Sequence, residues 1–267
     1  MITVCMTTYK GERFRDEQIA SIQQNIAPAD QFIISEDGDD IAFLDALSKD
    51  GSDKSDRNTG NDGDKIQTRN VLPLKGPGCG AVANFEYALR HAKGDIIFLS
   101  DQDDIWTENK VEKVLKAFEE NPKCMLVVHD ADIIDEKGDC IGESFYAFRN
   151  SDPGILKNIW KNSYIGCCMA FRKELLEYAL PFPTKGTLHD QWLGILAEQM
   201  GEVVFLEDKL LHYRRHEENV SGMQHLPIMT MLYNRLSLCW NLMLRKCRGT
   251  KKYQAYTVEE IRKRWEK

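Results

Sequence analysis

The segment GDIIFLSDQDDIW (residues 94–106) decides the fold. Its short, continuous apolar run reads as a strand buried on both faces, and it runs straight into Asp101-Gln102-Asp103-Asp104. Downstream, Val111, Leu115 and Phe118 fall at helical spacing and stop near Asn121-Pro122. Residues 125–129 then form another apolar strand that closes on Asp130. Upstream, Val82, Phe85, Leu89 and Ala92 mark a helix ended by Gly94, and QFIIS (31–35) is a strand that stops at Glu36-Asp37-Gly38. Residues 11–25 carry Phe14, Gln18, Ile19 and Ile22 at helical spacing, and the β-branched run from Ile2 to Thr8 is the first strand. Apolar strands alternating with amphipathic helices predict an α/β, Rossmann-like fold: a mostly parallel sheet flanked by helices.

Such sheets bind ligands beyond the carboxyl ends of their strands. Three strand ends here read as acidic: Glu36-Asp37, Asp101 to Asp104, and Asp130-Ala131-Asp132. Like charges gathered on one sheet edge repel, and a bound cation resolves that repulsion. Carboxylates at i and i+2 after a buried strand can face one ligand where the chain turns. Mg2+ or Mn2+ prefers such hard oxygen ligands and shares them with substrate phosphates. The alternative for residues 101–104 is a turn followed by an N-cap for a helix starting near Thr107.

The 267 residues, 42% hydrophobic and 29% charged, suit a folded protein with a sizeable core and exclude disordered, collagen-like and coiled-coil classes. No apolar run approaches eighteen residues, and the opening Met-Ile-Thr-Val-Cys has no leader pattern. The eight cysteines form no CxxC pair and read as reduced thiols, so a cytoplasmic location is expected. The net charge of −7 is unevenly placed. Residues 225–267 hold ten Lys/Arg against three Glu, or +7, whereas the 25 Lys/Arg and 39 Asp/Glu before them leave −14. An acidic body is a poor nucleic-acid binder; the basic tail suits an anionic surface such as a membrane leaflet.

Residues 48–65 (SKDGSDKSDRNTGNDGDK) lack large apolar residues and are expected to form a flexible, solvated insertion within a domain spanning 1–222. Beyond residue 150, Cys167 to Phe171 reads as a strand and Lys173 to Leu180 as a helix stopped by Pro181. Asp190 opens a helix with Trp192, Ile195, Leu196 and Met200 on its apolar side. Residues 203–206 and 210–213 are two strand candidates. In the tail (223–267), Thr230, Asn234, Ser237, Asn241 and Arg245 form a narrow polar stripe on an otherwise apolar helix that ends in basic residues. Such a helix (226–252 with its basic end) can lie in a membrane interface as a peripheral anchor, pack on the catalytic domain, or pair subunits into a homo-oligomer.

Five segments in order resemble family 2 glycosyltransferases with the GT-A fold: VCMTTYKGE (4–12), IISEDG (33–38), GDIIFLSDQDDIW (94–106), HDQW (189–192) and YRRHEENVSG (213–222). The later two are similar to those of bacterial members that build capsule, O-antigen or related cell-surface glycans. The resemblance covers roughly residues 1–222. It implies an inverting, metal-dependent transfer of a sugar from a UDP or dTDP donor to a glycan or lipid-linked saccharide acceptor. Thr7 and Tyr9, with Glu12 in the same motif, are placed beside the nucleotide. Asp37 matches the acid that accepts a hydrogen bond from a uracil or thymine N3–H, a role suited to an acceptor-only carboxylate; a turn or cap is its alternative.

Asp101 and Asp103 match the DxD metal motif for Mn2+ or Mg2+, with Asp101 also on the nucleotide side. His216 matches a histidine that completes the metal shell in some relatives. Arg214 and Arg215 are placed to grip the diphosphate, and Asn84 to approach the nucleotide or to cap a helix. Asp190 matches the catalytic base, which must take the acceptor hydroxyl's proton during a single in-line displacement; helix capping is the alternative. His189 and Trp192 fall on the acceptor side, His189 as a packing or orienting residue and Trp192 as either a stacking platform or core. A sugar-phosphate nucleotidyltransferase would need a Gly-rich basic loop after the first strand. TTYKGERF has a single Gly. A non-catalytic nucleotide-sugar-binding protein is the other alternative.

Overall fold

The structure is a computed structural model that describes residues 1–50, 70–217, 227–249 and 256–266. Its elements run β1 (Ile2–Thr8), α1 (Arg15–Asn25), β2 (Gln31–Glu36), α2 (Ile41–Asp50), β3 (Val71–Lys75), α3 (Ala81–Leu89), β4 (Ile96–Ser100), β5 (Ile105–Trp106), α4 (Lys110–Glu120), β6 (Cys124–Ile134), β7 (Cys140–Gly142), α5 (Phe145–Arg149), α6 (Ile155–Trp160), β8 (Met169–Arg172), α7 (Glu174–Ala179), α8 (His189–Met200), β9 (Glu202–Arg214), α9 (Ile228–Arg248) and α10 (Val258–Trp265). Apart from its first residues, the 48–65 segment lies outside the described residues.

One sheet in the order β3-β2-β1-β4-β8-β6-β9-β5, with β7 paired to β6, organises the molecule. The first four strands are parallel, as is the β6–β9 pair; β8 is antiparallel to both its neighbours and β5 to β9. All seven residues of β1 are buried, because helices cover both faces of the sheet centre. Cys5, Ile33, Ile97, Phe98 and Leu99 are fully inaccessible. Each such apolar side chain contributes about 1.5–3 kcal/mol relative to exposure. The register pairs Thr8 with Glu36, Glu36 with Lys75 and Met6 with Ser100, so four strands end along one edge. That edge carries the site.

Two strands differ from the sequence expectation. β6 does not close on Asp130 but continues to Ile134, so Asp130 and Asp132 lie within a strand rather than at a ligand-binding end. Residues 203–206 and 210–213 are parts of the single strand β9. In the tail, the polar stripe of α9 faces inward. Arg245 is buried and donates to the carbonyls of Leu180 and Pro181, and Ser237 Oγ donates to the Lys185 carbonyl at 3.1 Å. Leu238 and Leu242 of α9 join the same core cluster as the sheet.

Candidate active site

At this edge, β1 and β2 finish in buried polar residues. The Thr8 hydroxyl donates to Glu36, whose other oxygen accepts the Gly38 N–H at 2.7 Å. Asp37 accepts the N–H groups of Gly78 and Gly80, both at 2.8 Å, one on each carboxylate oxygen. Those glycines sit at φ 72° and 89°, values that a side chain would strain, and Gly80 is the N-cap of α3. Burial pushes the Asp37 carboxyl above its usual range, and the two N–H bonds oppose that shift. The Cys79 N–H is a third backbone donor to this carboxylate, which keeps acceptor capacity for one further N–H.

Thr7 is buried at the strand end, Tyr9 is 55% exposed beyond it, and Glu12 is exposed. Asn84 is placed differently from expectation. Gly80, not Asn84, caps the helix, and the Asn84 amide is closed into a pair with Ser35, accepting from its hydroxyl at 2.6 Å and donating to its carbonyl at 2.8 Å. Asn84 therefore braces β2 to α3.

Farther along the edge, the turn after β4 gathers the acids. Asp103 Oδ2 lies 2.7 Å from His216 Nε2, uniting two expected ligands 113 residues apart. Burial, followed by the charges of Asp103 and Asp190, pushes the Asp101 carboxyl up to about 7. The base expected on α8 thus sits within electrostatic reach of the motif after β4. Asp104 Oδ1 accepts the Arg214 backbone N–H at 3.1 Å, whereas its buried Oδ2 has no partner. The ligand atoms of Asp101, Asp104 and Cys167 lie within 4.8 Å of one another. Burial holds the Cys167 thiol protonated, so it is no ligand for a hard cation. Beneath them Lys110, wholly buried and pushed down to about 8 by burial, donates to the Cys167 carbonyl at 2.8 Å and stacks 4.1 Å over Trp106.

This donor set fits a divalent cation. Burial and the charge of Asp103 raise the proton affinity of Asp101 and Asp104, a buried acceptor atom is orphaned, and oxygen and imidazole donors face one another. Such a deficit is what Mn2+ or Mg2+ relieves.

Arg214 is a correction. Its guanidinium is 3% exposed side-chain surface, ion-paired to Glu17 at 2.6 Å, bonded to the Asp103 carbonyl at 2.9 Å and stacked on Phe14. It holds the acidic turn in place rather than reaching for a diphosphate. Arg215 is half-buried, and its backbone N–H bonds the Ile134 carbonyl.

Asp190 occupies the first turn of α8, half-buried, with Oδ1 accepting the Gln191 N–H at 2.6 Å. Leu188 holds the cap position, so capping does not explain Asp190. His189 stacks on Phe85 at 4.2 Å, and burial keeps its imidazole neutral. Trp192 is a second correction. It is fully buried, its Nε1 donating to the Ala179 carbonyl at 2.9 Å, so no sugar can stack on it. A cavity of about 130 Å3 is lined by Gln191 at the start of α8 with Trp160, Asn234 and Arg235 among others.

Sequence reading missed several supports. Gln102, inside the acidic motif, accepts the Tyr9 N–H at 2.7 Å and donates to the Tyr9 carbonyl at 3.0 Å, and Gly11 leaves room for it. Gln18 donates to Ser100 Oγ and to the Asp101 carbonyl. The helix α10 returns to the donor side: Arg264 and Trp265 donate to buried Glu86, and Arg262 donates to the Pro77 carbonyl. The one sequence signal for α10 is the capping box from Thr257 to Glu260.

Residues 3–179 match the sequence pattern of Glycosyl transferase family 2. An uncharacterized glycosyltransferase of Nostoc sp. is 21% identical over 225 residues, which cover 82% of this chain and 66% of that protein. S. aureus TarS (residues 1-349) bound to UDP-GlcNAc shares the fold at a TM-score of 0.65 and 13% identity, over 99% of this chain and 71% of that one. A mannosyltransferase from Pyrobaculum calidifontis, in complex with GDP-Man and Mn2+, superposes with a TM-score of 0.57 and 14% identity over 94% of this chain and 76% of that one. The curled mixed sheet, the helical layers and the matched pattern converge: the chain belongs to glycosyl transferase family 2 and is a glycosyltransferase with the GT-A fold.

Proposed function

We propose that the chain moves a sugar, with inversion, from a UDP or dTDP donor to a hydroxyl of a glycan or lipid-linked saccharide, in the assembly of a bacterial surface polysaccharide. The observation that carries this reading is the 2.7 Å contact of His216 with Asp103 beside Asp101, whose carboxyl also feels the charge of Asp190 from the start of α8. Thr7 and Tyr9 line the nucleotide end, and Asp37 offers its remaining lone pairs to the base N3–H.

Asp101, Asp103 and His216 would hold the Mn2+ or Mg2+. A bound divalent ion supplies Lewis-acid stabilisation of the leaving diphosphate. Asp190 takes the proton from the acceptor hydroxyl as that oxygen bonds to the anomeric carbon and the bond to the diphosphate oxygen breaks. With one displacement, a single base suffices, in contrast to the carboxylate pair of glycosidases. His189, neutral and stacked on Phe85, fixes the start of α8 and thereby the aim of Asp190.

The test is Asp190→Ala with UDP-, dTDP-, GDP- and CMP-sugars, with and without Mn2+. Donor-induced thermal stabilisation should persist for uridine or thymidine donors while transfer is lost. Transfer surviving within about tenfold removes Asp190 from the base role, and stabilisation by GDP-sugars alone removes Asp37 from base recognition.

A further inference from the structure

The docking of α9 leaves a surface that the fold itself does not use. Its buried side chains are Leu238, Leu242 and Arg245. On the opposite side Met229, Leu232, Tyr233, Leu236, Trp240 and Met243 are 46–74% exposed. At 3.6 residues per turn these six fall within about 100° of the helix circumference, a continuous apolar stripe on a helix about 30 Å long. Trp160 of α6, 69% exposed, stands beside it: Arg235 bonds the Trp160 carbonyl and stacks on its ring at 4.1 Å.

We propose that this face seats the protein on a lipid bilayer bearing anionic headgroups. Charge selects that occupant. The helix contains Arg235, Arg245, Lys246 and Arg248 and no acidic residue, and exposed Lys246 and Arg248 flank the stripe on either side at its C-terminal end. The chain before residue 225 carries −14, so an anionic surface attracts this end and repels the rest, which fixes one orientation. Exposed Trp240, Tyr233 and Trp160 have the amphipathic rings that settle at headgroup depth. A second copy is a poorer match: a self-paired stripe would offer no acid to Lys246 and Arg248 in either direction. No helix among the described residues is long and apolar enough to cross a membrane, so the helix lies on the surface rather than through it. Since α9 shares a cavity with Gln191, the residue after Asp190, a seated α9 lies close to the proposed acceptor side.

The full chain is tested by co-sedimentation with vesicles of phosphatidylcholine and of phosphatidylcholine with about 30% phosphatidylglycerol, a readout independent of any transfer reaction. The wild type should bind the anionic vesicles at least tenfold more tightly than the neutral ones. Leu236→Glu/Trp240→Glu and, separately, Lys246→Glu/Arg248→Glu should each weaken that binding about tenfold or more, with unfolding midpoints unchanged. Wild-type protein that ignores both vesicles overturns the proposal, as does anionic binding that both double variants retain. A dimer in light scattering that Leu236→Glu/Trp240→Glu splits would assign the face to a second copy instead.

Discussion

The Asp-X-Asp stretches at 101–103 and 130–132 both follow apolar runs, and the fold treats them in opposite ways. Within β6, Asp130 accepts the Ser144 hydroxyl at 2.5 Å and the N–H groups of Ala131 and Tyr146 at 2.8 and 2.9 Å, while Asp132 pairs with Lys209 at 3.0 Å. After β4, Asp101 is pushed up to about 7 by burial and by neighbouring acids, and buried Asp104 Oδ2 lacks a partner. The same pattern is a finished structural joint in one place and an electrostatic deficit in the other. A carboxylate cluster is ready for a cation when its own fold leaves it undercompensated, and the sequence motif does not report that difference.

The contrast can be broken by replacing acids one at a time. Asp190→Ala should have the largest effect, a loss of about 10²–10⁴ in transfer rate with little change in unfolding temperature, measured with any accepted donor. Next, Asp103→Ala should abolish stabilisation by Mn2+ in thermal unfolding and leave the ion-free midpoint unchanged or raised, since it removes a like charge. Asp130→Ala should do the reverse: about 3 kcal/mol of stability lost in urea unfolding, from charged hydrogen bonds left open, with Mn2+ stabilisation intact. An Asp130→Ala protein of native stability would dissolve the distinction between the two stretches.

Smaller effects sharpen it. Asp101 must shed its proton to ligate, so Mn2+ affinity by calorimetry should rise as pH climbs through about 7 and then level off, and Asp101→Asn should flatten that profile. For the ion-free fold the sign is opposite. A carboxyl held above its unfolded value of about 3.9 favours folding below that pH, and its contribution fades as pH rises through about 7. Smallest of all, Trp192→Phe should cost about 1 kcal/mol for the lost bond to the Ala179 carbonyl and leave transfer unaltered, which a sugar platform could not do.

The parallel strands β1, β2 and β4 and their helices were legible because burial on both faces writes itself as unbroken apolar runs. β3 was not: VLPLK contains Pro73, which an edge strand tolerates and a central one does not. β9 read as two strands because Glu207 to Lys209 interrupts its apolar pattern; Glu207 and Asp208 fall at a register shift against β6, and the strand continues beyond it. In the candidate site, local motifs pointed to Asp103, His216 and Asp190, and the fold brings the first two into contact, but the fates of Arg214 and Trp192 depended on partners far along the chain, Glu17 among them. Charge type alone cannot tell a phosphate-gripping arginine from a buried brace. The α9 stripe shows the same limit: amphipathicity fixes two faces, and only packing tells which one looks inward.

Gln102 has a mechanical consequence. Its amide is fastened through both ends to the backbone of Tyr9, so the turn after β1 and the turn that carries Asp101 and Asp103 are riveted into one piece. A displacement of either turn is handed to the other, so under the proposed function the base and the pyrophosphate of a donor would be received by a single jaw.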